Sequence, residues 1–191
     1  MTDTVRSRAK ADRRQAMLDA AAQLFAERGF ARVSLEEVGA AVGVSGPAFY
    51  RHFAGKQAVL GALLVGVSDG LATGGRAVVE RAPDAAAALT ALIEFHVDFA
   101  LTHADVIRVQ DRDLDSLTDT DRHEVRALQR AYVELWVDVL GRLHPDEERA
   151  ALRTRAHATF GLINSTPHSG GGGSRGTRAI LERMAAAALA A

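Results

Sequence analysis

The chain has 191 residues, 48% of them apolar, 5% aromatic and 25% charged, with no cysteine and a net charge of −1. Without cysteine, disulfides, Cys-containing zinc sites and thiol catalysis are excluded, while abundant alanine and leucine favour helices, in which both lose little side-chain freedom. The charge is uneven: residues 1–56 carry nine Lys/Arg against six Asp/Glu, a balance of +3, and the remainder carries −4, so a basic head precedes an acidic body.

The N-terminus, MTDTVRSRAKADRRQ, is polar and lacks the apolar stretch of a signal peptide. No apolar run is expected to approach a membrane span, so a soluble cytoplasmic protein with no membrane partner is the expectation. Residues 1–10 read as a flexible basic arm with Arg6, Arg8 and Lys10, continuing into Arg13 and Arg14. A helix is predicted from about Asp12 to Arg28, with Met17, Ala21, Leu24 and Phe25 at helical spacing and Gly29 at the C-terminal cap. Ser34 followed by Glu37 forms a capping box for a helix ending at Val42-Gly43. A second short helix begins after Ser45, with Pro47 in its first turn, where a missing amide is tolerated, and ends near His52-Phe53. Residues 58–82 are apolar enough for a long helix, but Gly61, Gly66, Gly70 and Gly74-Gly75 weaken it by about 1 kcal/mol each.

Pro83-Asp84 opens a further helix with Leu89, Leu92, Ile93, His96 and Phe99 on one face, and His103-Ala104-Asp105 opens a shorter one. Thr118 to about Leu143 is predicted as a long helix whose buried stripe runs from Val125 through Tyr132 and Trp136 to Leu140. The stretch before it, QDRDLDSLTDTDRHE (110–124), is expected to be a solvated helix end and loop. Pro145 starts a helix reaching Ser165, stopped by Thr166-Pro167. GGGGSRG (170–176) reads as a flexible loop before a last helix from about Arg178 to Ala190. The sum is an all-α bundle of about nine helices with no sheet.

The segment LEEVGAAVGVSGPAFY (35–50) has the features of two helices crossing steeply. Gly39 provides a small contact, Gly43 a residue free to take positive φ, and Val38, Val42, Val44 and Phe49 an apolar wedge. The glycine pattern alone favours a plain helical corner; the capping box, the basic arm and the Tyr-Arg-His-Phe run turn the reading to a helix-turn-helix. Ser45, Gly46, Pro47 and Ala48 are small residues at the start of the second helix, suited to pressing into the major groove and touching base edges. Tyr50, Arg51, His52 and Lys56 follow as donors to phosphate. Proline and alanine make only apolar contacts to bases, so part of the specificity is expected from DNA shape.

The stretches LDAAAQLFAERGF (18–30) and SLEEVGAAVGVSGPAFYRHFAGKQAVL (34–60) resemble the DNA-binding domain of the tetracycline-repressor (TetR) family. The resemblance carries a helix ending in F-x-x-x-G-[FY], a V-G-V-S turn, Y-x-H-F and a following Gly-Lys. It implies an N-terminal three-helix DNA-binding domain at 11–55 after an arm at 1–10, then a ligand-binding and dimerisation domain at 56–191. It also implies a homodimer on a palindromic operator in double-stranded DNA, and a small-molecule effector enclosed by the later helices. Residue by residue it places Tyr50 and Lys56 on phosphates, Ser45, Gly46, Pro47 and Ala48 at or near bases, and Ser34 at a helix start against the DNA backbone. Two departures are Gly39, where alanine is usual and which is expected to loosen the corner slightly, and Ala48, where a threonine often sits.

In the second half, Phe95, His96, Phe99, His103, Tyr132, Trp136, Phe160 and Asn164 combine apolar surface with a few polar tips, which suits a concave ligand site; singly, Phe95, Phe99 and Trp136 read as core. The run NSTPHS (164–169) is similar to one in regulators of acyl-CoA and fatty-acid catabolism, which points to an acyl-thioester or other hydrophobic effector. The seven histidines show no H-x-x-x-H and no carboxylate cluster at ligand spacing, so neither a metal nor a cofactor is expected. No phosphate-binding Gly-rich loop, G-x-S-x-G or H-E-x-x-H is present, so an enzyme is not expected. The function implied is a ligand-responsive transcriptional regulator, a repressor by family habit, with a ligand-independent or architectural DNA-binding protein as the alternative. The dimer surface is expected on the helix from Asp146 to Ser165 and on the last helix, where Ala150, Ala151, Ala156, Ala158, Ala185 and Ala188 allow close packing.

Overall fold

The computed structural model describes residues 2–165 and 175–190, which form nine α-helices and no strand. The helices are α1 (Thr2–Arg28), α2 (Leu35–Ala41), α3 (Gly46–Phe49), α4 (Lys56–Arg81), α5 (Ala85–Thr102), α6 (Ala104–Asp113), α7 (Asp119–Leu143), α8 (Arg149–Asn164) and α9 (Arg175–Ala190). Residues 166–169 of the polar run and 170–174 of the glycine stretch lie outside the described residues, while Arg175 and Gly176, expected in a loop, belong to α9.

The first ten residues depart from expectation. Instead of a flexible arm, α1 runs unbroken from Thr2. The buried side chains Met17, Ala21 and Phe25 nucleate the helix, and extension through Ala, Arg and Lys adds one hydrogen bond per residue at little entropic cost. It stops at Gly29, whose φ of +87° is open to glycine and whose amide closes on the Phe25 carbonyl at 2.8 Å.

The capping box at Ser34 forms: Ser34 Oγ accepts from the Glu37 amide at 3.2 Å and Glu37 Oε2 accepts from the Ser34 amide at 2.8 Å. Gly43, at φ +66°, makes the turn. α3 is one turn long, shorter than expected, and Tyr50–His52 continue as turns closed by the Phe49 carbonyl. Gly39 tightens the corner rather than loosening it. A Cβ there would stand 2.7 Å from the Val44 carbonyl oxygen, because the Val44 amide is drawn onto the Gly39 carbonyl at 2.8 Å.

α4 overrides its glycines and is one helix of 26 residues. Three of them admit side chains against the bare backbone: a Cβ at Gly61 would meet Asp121 Oδ2, and at Gly74 and Gly75 the Phe95 and Tyr132 rings, each at 2.5 Å. By length and composition α4 and α5 do reach what a membrane span needs, contrary to the sequence expectation. Of their apolar residues, Leu60, Leu64, Leu92 and Val97 are buried inside the bundle. α8 begins at Arg149, later than expected, because residues 145–147 form a turn and bend before it.

Two apolar clusters fill the protein. The first joins α1, α2, α3 and the start of α4, and it takes Val106, Val109, Leu117 and Val125 from the body. The second joins the later part of α4 to α5, α7, α8 and α9 around Trp136. Packing therefore does not break at residue 56: α4 belongs to both clusters, and α6 splits its face between them, Val109 to the first and Ile107 to the second.

Candidate nucleic-acid interface and effector chamber

At the head, Ser45 and Pro47 are exposed, and Gly46 and Ala48 are half-buried at the start of α3. Tyr50 is the most exposed large apolar side chain among the described residues, at 54%, and Arg51 beside it is also exposed. The Ser34 hydroxyl is occupied within its own cap, donating to Glu37 Oε2 at 2.9 Å while accepting the Glu37 amide. The Glu37 carboxyl is held below the usual range by the Ser34 amide and hydroxyl, with Arg28 adding to the effect.

The helical N-terminus brings Lys10, Arg13 and Arg14 of α1 to the same end as Arg51 and His52. Burial pushes the His52 imidazole below its ordinary pKa, and the charges of Lys10, Arg13, Arg51 and Arg14 push it further. Its Nδ1 is buried without a hydrogen-bond partner among the described residues. Ala9, Lys10, Arg13 and His52 line a hollow of about 250 Å³ with no acidic residue in its wall. Arg14 lies over the Phe53 ring, 4.7 Å from its centroid.

Lys56 is not placed as expected. Its ammonium donates to the carbonyls of Phe30 (2.8 Å), Val33 (3.0 Å) and Ala31 (3.2 Å), and lies 4.5 Å from the Phe30 ring centroid. All three of its protons are committed to the α1–α2 connection, because that turn leaves three carbonyls pointing at the start of α4. It buttresses the head and offers no free donor to a phosphate.

In the body, the eight expected pocket residues separate. His96, Phe99, Tyr132, Phe160 and Asn164 line one chamber of about 240 Å³. Phe95 and His103 line, again with Phe99, a second cleft of about 420 Å³ between α1, α4 and α5. Trp136 lines neither; it is fully buried core, packed edge-on to Phe160, Tyr132 and His96. Burial lowers the His96 pKa to about 4, so the imidazole is neutral near pH 7. Its Nε2–H donates to Asn164 Oδ1 at 3.2 Å, and its Nδ1 accepts from the Tyr132 hydroxyl at 3.3 Å. Burial pushes the Tyr132 hydroxyl pKa up, keeping it a donor. This chain leaves the Asn164 amide N–H group to meet a ligand carbonyl. Among the described residues no group of three or more His, Asp or Glu is arranged to hold a metal.

One element touches both sites. α6 lines the chamber with Ile107 and Gln110. One turn later Asp113 accepts the Phe30 amide at 3.3 Å, while Arg112 donates to Asp113 (3.0 Å) and to the carbonyls of Ala26 (3.3 Å) and Phe25. The pair caps the C-terminus of α1. Asp113 is buried, so the acidic stretch 110–124 is not wholly solvated as expected: its first turn is an anchor.

Comparison with known proteins gives this geometry a family. A model described as "Bacterial regulatory proteins, tetR family" matches residues 17–63, and one described as "Tetracyclin repressor-like, C-terminal domain" matches residues 82–190. The chain belongs to the tetracycline-repressor family. The HTH-type transcriptional repressor KstR2 of Rhodococcus jostii is 29% identical over 132 residues, 69% of this chain and 65% of that protein, so the match spans less than two thirds of the relative. A TetR-family transcriptional regulator from Bordetella parapertussis superposes with a TM-score of 0.83 at 26% identity, covering 92% of this chain and 93% of that one. The ketosteroid transcriptional regulator KstR2 of Mycobacterium tuberculosis gives 0.78 at 22% identity, covering 93% of each chain, a likeness of fold.

Within this TetR-family chain, several site features carried no sequence signal. Ser68, Gln110, Gln129 and His157 line the chamber from four different helices, and no spacing rule links residues so far apart. Arg112 and Asp113 looked like two more charges in a polar stretch. The dimer expectation also divides: Ala156 and Ala185 are fully buried between α8 and its neighbours, whereas Ala150, Ala151, Ala158 and Ala188 are exposed.

Proposed function

We propose that this chain is a ligand-responsive transcriptional regulator and not an enzyme, holding a palindromic operator in double-stranded DNA as a cytoplasmic homodimer. It acts as a repressor and is released by a small hydrophobic or acyl-type effector. The observation that carries this reading is α6, which lines the chamber with Ile107 and Gln110 and caps α1 with Arg112 and Asp113. An occupant that displaces Ile107 or Gln110 moves the cap, and with it the helix on which the head is built. Release requires the effector to bind the DNA-free arrangement more tightly than the DNA-bound one. The repressor sign follows the relatives named as HTH-type transcriptional repressor KstR2, and the apolar class of effector follows the Phe99, Ile107 and Phe160 side chains that line the chamber.

On DNA, Ser45, Gly46, Pro47 and Ala48 meet base edges, Tyr50, Arg51 and His52 meet phosphates, and Ser34 lies against the backbone. Tyr50→Ala is expected to weaken binding to any duplex by about tenfold, the worth of one hydrogen bond to a charged group. Unchanged affinity in a fluorescence-anisotropy titration would mean that the head docks by another face. A phosphate beside His52 offsets the surrounding positive charge and raises its depressed pKa, so the complex binds more protons than the free protein. Affinity is therefore expected to strengthen as pH falls from about 7 to 5, and His52→Gln to flatten that dependence; equal pH profiles for both proteins would remove His52 from the interface.

The dimer seam is placed on α8 and α9, where Ile180 (49%) and Met184 (50%) stand exposed one turn apart and Ala151, Thr154, Ala158 and Gly161 form an exposed small-residue face. Ile180→Asp with Met184→Asp should yield a monomer by size exclusion with light scattering; a dimer of undiminished stability would rule out this face.

A further inference from the structure

We infer that the effector is an anionic amphiphile lying across both body cavities, with its apolar part between Phe99 and Phe160 and its anionic group on Arg14 of the DNA-binding head. This rests on the ligand-responsive reading above and specifies its ligand. The inner chamber, about 240 Å³, is by itself smaller than the roughly 300–1,000 Å³ usual for small-molecule sites. It shares two wall residues, Leu71 and Phe99, with the cleft of about 420 Å³. Side by side across those two residues they offer a combined volume of ordinary size, with Leu71, Phe99, Ile107, Val133 and Phe160 as the apolar wall of the inner chamber and Arg14 in the wall of the outer cleft.

The charge at the mouth is positive and unbalanced. The cleft is lined by Arg14, Asp98 and His103 among its ionisable residues. Asp98 is paired with Arg178 at 2.6 Å. Arg14 has no acidic partner among the described residues and rests only on the Phe53 ring. An anionic group in the cleft therefore meets an uncommitted guanidinium, the side chain best suited to carboxylate or phosphate.

The floor of the cleft points the same way. Gly66 and Gly70 sit one turn apart on α4 and line it. Unlike Gly61, Gly74 and Gly75, they have no neighbour within 4 Å of where a Cβ would be. No packing contact calls for glycine at either, and the space above them is the cleft itself. Because Arg14 belongs to α1 and lies over Phe53 at the end of the helix-turn-helix, an anion that draws it away acts directly on the head.

The test titrates the full chain with decyl phosphate, decanol and inorganic phosphate, following the fluorescence of the single tryptophan, Trp136, which packs against Phe160 of the chamber wall. Decyl phosphate is expected to bind about tenfold more tightly than decanol, the increment of one charge-assisted contact in a part-exposed site, and inorganic phosphate to leave the signal unchanged. Arg14→Gln should abolish the preference and leave decanol binding intact. Gly70→Leu, which fills the cleft from an exposed helix face, should weaken decyl phosphate more than decanol, with an unchanged melting temperature as its control. Equal affinities in the wild type, or a preference that survives Arg14→Gln, would overturn the inference while leaving the chamber as an effector site. Failure of both amphiphiles to bind would overturn the inference and count against the chamber reading as well.

Discussion

Lys56→Met is expected to lower stability by about 2 kcal/mol, and hence the melting temperature by about 4–8 °C for a chain of this size. The methionine keeps the apolar stem over Phe30 but removes the donor shared by the carbonyls of Phe30, Ala31 and Val33. Those carbonyls lie on the segment joining α1 to α2, so their release loosens the seat of the helix-turn-helix on α4. Lys56→Arg is expected to recover only part of the loss, since a planar guanidinium cannot aim at three converging oxygens as an ammonium can. Thermal unfolding by circular dichroism measures the effect. A salt titration on a random-sequence duplex supplies the counter-test: the variant should keep the wild-type slope. A slope reduced by about one charge with an unchanged melting temperature would place the ammonium on a phosphate instead.

The second large effect is expected at Asp113. Asp113→Ala leaves the Phe30 amide without its acceptor and Arg112 without its anchor, at a cost of about 2–3 kcal/mol. The loss should be local before it is global. Hydrogen exchange followed by mass spectrometry is expected to speed up across the end of α1 and the turn after it, residues 25–33, while α5 and α7 keep wild-type protection. Uniform acceleration would mean that the pair stabilises the whole fold, and no acceleration that the α6 cap is dispensable. Asp113→Asn, which keeps an oxygen for the amide but not the charge for Arg112, should fall between the two.

Much of this architecture is legible residue by residue. Ser34 and Glu37 announce a capping box, Gly29 and Gly43 take the positive φ their positions suggest, and the stripe from Val125 to Leu140 faces the core. Each depends on groups within a turn or two of one another, where spacing along the chain is also proximity in space. The α4 glycines misled for the opposite reason. Their helix cost is local and visible, but the rings of Phe95 and Tyr132 that occupy the vacated space come from other helices. The site divides the same way: the head was marked by a compact motif, whereas the chamber draws on α4, α5, α6, α7 and α8.

Helix type, caps, turns and the run of small residues at the start of α3 were thus set by neighbours in sequence, through hydrogen bonds and side-chain entropy that act over a few residues. The commitment of Lys56 to carbonyls, the capping of α1 by Arg112 and Asp113, the meeting of two cavities at Leu71 and Phe99 and the gathering of cations around His52 arose from long-range packing. A charged side chain goes where folding leaves unpaired partners, and that place follows from which helices cross and how closely, not from any single stretch of the chain.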